Sequence, residues 1–212
     1  FKKYIEPVAD RVCLNCRIAL VRRAADQVAV TPVAGETRFF DHVILATHAP
    51  ETLAMLADGD QEEKRFLVAF PYRRNQAVLH SDRSVMPRRG VAWASWNYRI
   101  GSRRDGLTAL TYDMNRLQGL ECESRFFVSL NMTDQIDPAL VHHEVTYEHP
   151  VFTNAGIHAQ GEWRRVSGRG GVHFAGAWLR NGFHEDGAFA GRRAAMAALD
   201  RKYAGSALEV AA

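Results

Sequence analysis

The 212-residue sequence predicts an α/β (α+β) chain, and three observations lead there. A short, continuously apolar run, Val43 to Ala46, is followed almost at once by the helix-like ETLAML at 51–56. Such a run is the pattern of a strand buried on both faces. From about Asp58 shorter strand-like pieces alternate with separators rich in Gly, Pro, Ser and Asp, as hairpin connections are. From Gly170 the texture reverts: GVHFAGAW is a strand entering a glycine turn, and an Ala-rich helix of about four turns follows.

In chain order, residues 1–10 read as the end of a helix bounded near Pro7. Two β-rich runs follow, RIALVRR at 17–23 and QVAVTPV at 27–33, with 24–26 as their turn. DGDQEEKRF carries a helix start. NQAVLHSD, GVAWASWNY, LTALTYDMN and RFFVSLNM read as pieces of an antiparallel sheet, separated by SDRSVMPRRG and IGSRRDG. IDPALVHHEVTYEHPVF offers a helix start at Asp137–Pro138 and a return strand.

Composition narrows the class. Lys plus Arg is 27 and Asp plus Glu is 24, so the net charge is only +3 and does not announce a nucleic-acid binder. No apolar run reaches the roughly 20 residues of a membrane-spanning helix. Three cysteines make an odd count for a disulfide scaffold, so a reducing cytoplasm is expected. The chain opens at Phe1 in helix-like sequence and is expected to be part of a longer protein.

Most chemical information lies in VHFAGAWLRNGFHEDGAFAGRRAA, residues 172–195. A strand delivers the chain to Gly176, and a second turn at Gly182 opens a helix containing Gly187 and Gly191. Glycines at i and i+4 share one helix face and leave it bare, so a backbone or flat ligand can approach closely. The helix N-terminus adds unsatisfied N–H groups and partial positive charge.

This stretch resembles the C-terminal flavin-contacting motif of the amine-oxidase-like flavoproteins: Ala175–Gly176, then Gly182, Phe183, Glu185 and Ala190–Gly191. With FDHVILATHA, TYDMNRLQGL and TYEHPVF, it is most similar to a bacterial subgroup of predicted FAD-dependent oxidoreductases. Similar sequence is also fused ahead of plant cyclopropane-fatty-acid synthases. The resemblance implies FAD as cofactor. Residues 1–56 and 165–205 would then form a partial FAD-binding Rossmann-like domain. Residues 57–164 would be an inserted mixed or antiparallel-sheet substrate domain, and 206–212 a tail.

By position in the family pattern, the backbone of Ile18 passes the adenine, and His48 and Ala49 end a strand near the dinucleotide. Gly176, Ala177 and Trp178 lie near the ribityl chain; Gly182, Phe183, His184, Glu185, Asp186 and Gly187 face the flavin. Many relatives place an acid after the Ala-Gly turn, where this chain has Ala177–Trp178. No Gly-x-Gly-x-x-Gly follows a strand here, and SGRGG at 167–171 precedes one, so the isolated chain is expected to hold FAD weakly.

Trp93, Trp96, Tyr98, Tyr112 and Met114 lie in neighbouring strand-like pieces. Alternation puts Trp96 with Tyr98 and Tyr112 with Met114, either as core or as an apolar substrate pocket over the flavin. The activity implied is hydride transfer from an apolar or amine-type substrate to flavin, with no catalytic base assignable. Its rivals are a flavin-dependent lipid-chain isomerase or desaturase, and a non-catalytic partner that keeps the fold.

Cys13-x-x-Cys16 lacks a second pair and reads as ordinary thiols, not zinc or redox chemistry. His142, His143 and His149 with Glu144 and Glu148 match no metal-binding helix and read as solvated or hydrogen-bonding groups. Arginine pairs at 22–23, 73–74, 88–89, 103–104, 164–165 and 192–193 read as solvated surface. A peripheral contact with anionic lipid headgroups is the sharper alternative, and nucleic acid is not expected. A small-molecule or lipid-like substrate is the partner expected.

Overall fold

A computed structural model describes residues 2–100 and 107–200. The separator at 101–106, with the arginine pair 103–104, and the tail at 206–212 lie outside the described residues. The chain divides into two compact units, one from residues up to 71 and from 150 onward, the other spanning Tyr72–His149.

The first unit opens with α1 (Lys2–Ile5) and a 3-10 turn at Glu6–Arg11 that holds Pro7. Strands β1 (Ile18–Ala24) and β2 (Gln27–Pro32) form an antiparallel hairpin in which Val21 faces Val30. β3 (Arg38–Phe40) adds a third strand beside β2. β4 (Val43–Leu45) leads to α2 (Ala49–Met55), and α3 (Gln61–Val68) follows. α3 starts where it does because of a capping box. The Asp60 carboxylate accepts from the Glu63 amide at 2.8 Å, and the Glu63 carboxylate accepts from the Asp60 amide at 3.0 Å.

The second unit is a five-stranded sheet of β5 (Tyr72–His80), β6 (Trp96–Arg99), β7 (Ala109–Asp113), β8 (Phe127–Leu130) and β9 (Val141–Pro150), in the order β6-β7-β8-β5-β9. α4 (Met114–Gln118) starts directly after β7, with the Asp113 side chain accepting from the Arg116 amide. β9 ends at the boundary, and the chain returns to the first unit through α5 (Asn154–Gly161), α6 (Trp163–Val166), β10 (Val172–Phe174) and α7 (His184–Asp200). α3 and α5 thus pack in the first unit, although both lie within 57–164.

β10 runs parallel to β4, with Val172 opposite Val43 and Phe174 opposite Leu45. The other edge of β10 is closed locally. The Trp163 indole donates to the Phe174 carbonyl at 2.8 Å, the Ser167 hydroxyl accepts from the Phe174 amide, and the Gly168 amide donates to the Val172 carbonyl. β4 is not buried on both faces as its apolar run suggests. Among the described strands it pairs only with β10, and Ile44 and Ala46 are exposed.

Phe66, Phe70, Phe174 and Trp178 build the aromatic core of the first unit, with Phe70 and Trp178 centroids 4.6 Å apart. Arg23 ties its edge together, donating to Asp58, to the buried Glu63 and to the Arg169 carbonyl. No helix among the described residues is long and apolar enough to cross a membrane.

Candidate functional site

Two parallel strands end side by side at the site. β4 finishes at Leu45 and β10 at Phe174, and the Ala175 amide continues the ladder to the Leu45 carbonyl at 3.0 Å. In parallel sheets the carboxyl ends of strands are where loops gather polar backbone. Here those ends carry Ala46, Thr47 and His48 on one side and Gly176 and Ala177 on the other. The Trp178 indole N–H donates to the Thr47 carbonyl at 3.1 Å and locks the two loops together.

Gly176 makes that lock possible. Its φ of +152° and ψ of 155° suit glycine alone, and a Cβ there would lie 2.2 Å from the Trp178 Nε1. Trp178 is therefore a core residue: its ring is buried against Phe66 and Phe70 and cannot line a ribityl chain. Ala49, at the start of α2, is also fully buried, so at the β4 end only Ala46, Thr47 and the half-exposed His48 remain accessible. The His48 amide is held by the Glu51 carboxylate at 3.1 Å. Ile18 is half-buried at the start of β1, opposite Pro32, with a bulge before Leu20.

α7 brings the second half of the site. Gly182 turns the chain at φ +90°, and the Asp186 carboxylate accepts from the Asn181 and Phe183 amides at 3.2 and 3.0 Å. Arg180 stands 3.5 Å from the same carboxylate. Asp186 is buried and spent on this turn, so it does not face a ligand as the motif alone implies. Phe183, His184 and Glu185 are exposed, and the first amides of α7 have no carbonyl within the helix to bond. Gly187 faces Ala177, whose Cβ is 3.9 Å from where a Gly187 Cβ would sit; a Cβ at Gly191 would meet nothing within 4 Å. The structure thus brings Gly176, Ala177 and Gly187 together as a ledge of bare backbone.

The five-stranded sheet of the second unit is a separate candidate. Cross-strand register puts Trp96, Tyr98, Leu110, Tyr112, Val128, Leu130, Ala77 and Leu79 on one face. Of these only Ala77 and Leu110 are buried. Trp96 and Tyr112 meet edge to face at 5.2 Å, and burial pushes the Tyr112 phenol above its usual range. Met114 does not join them. The strand alternation stops at Asp113, and Met114 is the first residue of α4, its amide bonded to the Phe126 carbonyl. The Trp93 ring turns inward against Phe127. Sequence alternation in NQAVLHSD and RFFVSLNM signals the strands, but not that Leu79, Val128 and Leu130 share the Trp96 face.

The opposite face buries polar groups, His80, Thr111, Asp113 and Ser129, beside the apolar Val78, Ala109 and Phe127. His80 Nε2 lies 2.8 Å from the Ser129 hydroxyl, and Ser129 lies 2.7 Å from Thr111. Asp82 is close, yet this is no nucleophilic triad. The Asp82 amide donates to His80 Nδ1, so the neutral ring carries its proton on Nε2 and donates to Ser129 instead of accepting from it. Burial holds the His80 pKa below its ordinary value, against the pull of Asp82.

Cys13 and Cys16 are exposed free thiols. His142 bonds Ser81, His149 bonds Asn75 and Glu144 bonds Gln76. Among the described residues no three His, Cys, Asp or Glu side chains are placed to hold a metal ion.

No family model matches the chain, and no curated protein matches it. Solved structures do. The CLA-producing fatty acid isomerase from P. acnes superposes with a TM-score of 0.56 at 13% identity, over 89% of this chain and 47% of that one. Putrescine oxidase bound to putrescine gives 0.59 at 14% identity, over 93% and 51%. Cyclohexylamine oxidase from Brevibacterium oxydans gives 0.55 at 14% identity, over 93% and 51%. The chain spans about half the length of these proteins, and at such identities the likeness is one of fold. The mixed α/β architecture, with its parallel and antiparallel sheets, matches these solved structures in fold.

Proposed function

We propose that the chain is the part of an FAD-dependent oxidoreductase that holds the flavin end of the cofactor and receives an apolar substrate. The ledge formed by Gly176, Ala177 and Gly187 carries this reading. Parallel strand ends and a 17-residue helix N-terminus converge there with backbone exposed and side chains withheld. Such a surface fits a flat, polar-edged ring, because close approach needs glycine and the ring edge needs N–H donors.

When bound, FAD supplies the hydride acceptor, and the protein's part is orientation and electrostatics. The head of α7 offers amides and a positive dipole end to the electron-rich edge of the ring. Asp186 opposes that field less than its charge suggests, because two amides and Arg180 already compensate it. Exposed Glu185 does oppose it. The apolar sheet face of the second unit excludes water along a hydrocarbon chain, and the Tyr112 phenol stays protonated there as a neutral donor. That face favours a lipid-like or other apolar substrate over a small polar one, and suits isomerisation of a lipid chain as well as its oxidation.

Riboflavin carries the ring without the pyrophosphate and tests the ledge directly. The chain should quench riboflavin fluorescence saturably. Gly187→Val should bind at least tenfold more weakly while keeping the wild-type circular dichroism, and Gly191→Ala should bind normally. Equal quenching by a folded Gly187→Val, or none by wild type, would overturn the assignment.

A further inference from the structure

The loop before β6 and β6 itself form a surface of unusual composition. Residues 83–100 carry four arginines, Arg83, Arg88, Arg89 and Arg99, and no acid or lysine. All four arginines are exposed. On the same segment Val91 is 95% exposed, Ile100 91%, Tyr98 65% and Trp96 51%. The loop is built, not loose. Val85 is buried in the core with Val78, Ala109, Met132 and Ile136, and Met86 is buried beside it in sequence. The Trp93 indole donates to the Pro87 carbonyl at 2.7 Å, and its ring meets Phe127 edge-on. A 3-10 turn at Gly90–Ala92 then holds Val91 outward between Arg89 and the anchored Trp93.

We propose that this edge of the second unit docks on an anionic lipid bilayer, with Val91, Trp96, Tyr98 and Ile100 entering the interface and Arg83, Arg88 and Arg89 meeting headgroup phosphates, while Arg99, on the other face of β6, bonds Gln135. Aliphatic side chains held in water gain by burial among acyl chains, and Trp and Tyr favour the headgroup level. Basic residues beside them add attraction to an anionic leaflet. A single-stranded nucleic acid would also take arginine and aromatic side chains, but the most exposed residues, Val91 and Ile100, have no π face on which a base could stack. The docking surface does not rest on the flavin ledge, but it shares Trp96 and Tyr98 with the apolar sheet face and would bring that face to a source of lipid.

Co-sedimentation of the 212-residue chain with vesicles tests it, using pure phosphatidylcholine and a mixture with 30% phosphatidylglycerol. The expected result is binding to the anionic vesicles and little to the neutral ones. Removing two arginines together, Arg88→Ala with Arg89→Ala, should lower partitioning about 30-fold, at about 1 kcal/mol per arginine. Val91→Glu should lower it at least about tenfold. Arg38→Ala, an exposed arginine of β3, should leave it unchanged. All of these side chains are exposed, and circular dichroism of each variant should match that of the wild type. Equal binding to both vesicle types, no binding, an Arg38→Ala loss as large as that of the loop variants, or displacement by a single-stranded RNA would each overturn the proposal. Trp96 and Tyr98 stay intact in every variant and riboflavin quenching needs no vesicle, so failure here and failure of the flavin ledge are read separately.

Discussion

The β4–β10 pair and the five-stranded sheet leave different kinds of surface accessible. In the first unit Val172, Phe174 and Leu45 go inside with Phe66 and Trp178, and what stays accessible is backbone at the strand ends. In the second, the buried face includes His80, Thr111, Asp113 and Ser129, while Trp96, Tyr98, Val128 and Leu130 on the other face are left partly in solvent. A buried polar group is tolerated only when hydrogen-bonded, and His80, Ser129 and Thr111 are joined in a chain that starts at the Asp82 amide. One region is set apart by glycine and the other by an apolar sheet face left partly in solvent.

The largest effect should come from the glycine side of this contrast. Gly176→Ala puts a Cβ onto the Trp178 indole in a backbone conformation closed to alanine, and should cost about 3–5 kcal/mol in urea unfolding. A loss under 1 kcal/mol would mean the two loops are not locked through Trp178.

Next come two neighbours on β8 that face opposite ways. Ser129→Ala strands the buried His80 N–H and should cost about 1–3 kcal/mol. Val128→Ala, half-exposed, should cost under about 1 kcal/mol. If the two cost the same, the His80–Ser129 bond adds nothing to stability.

Acid should single out the polar face. His80 is held neutral by burial, with a pKa below the 6.5 of the unfolded chain, while Asp82 and His142 act on it in opposite senses. The unfolded state therefore takes up a proton first, and stability complete above pH 6.5 falls as pH drops toward the folded pKa, by up to about 1.4 kcal/mol per pH unit. Asp82 is also buried, which raises its pKa, but the Asp137 and Ser84 amides outweigh that and hold it below 3.8. Its contribution is lost only at lower pH, as pH falls through that depressed value. Melting temperatures at pH 7.5, 6 and 5 should decline for wild type and flatten for His80→Gln; parallel curves would assign the acid sensitivity elsewhere.

The smallest effect is a gain. Gly187 has room for a methyl group inside a helix, so Gly187→Ala should add about 0.5–1 kcal/mol while weakening riboflavin binding. Stabilisation with unchanged binding would leave the bare helix face without a role.

Much of the local structure was legible from residue order alone. The β1–β2 hairpin, the capped start of α3 at Asp60, the Asp137 cap and the length of α7 all follow from signals within a few residues of one another. So does the glycine turn at Gly176, because only glycine suits its backbone. Burial is different, since it depends on what the rest of the chain places against a residue. Trp178 looked like a ligand neighbour until Phe66 and Phe70 closed over it, and Asp186 like a charge facing the ligand until the Asn181 and Phe183 amides took its carboxylate. Met114 left the aromatic face when β7 ended one residue early, and Ile44 is exposed where its strand pairs with one partner among the described strands. Sequence determined the elements and where glycine was obligatory, because backbone sterics and caps act at short range. Which face of each sheet is wet, and which polar groups are already spent, was decided only by contacts between residues far apart in the chain.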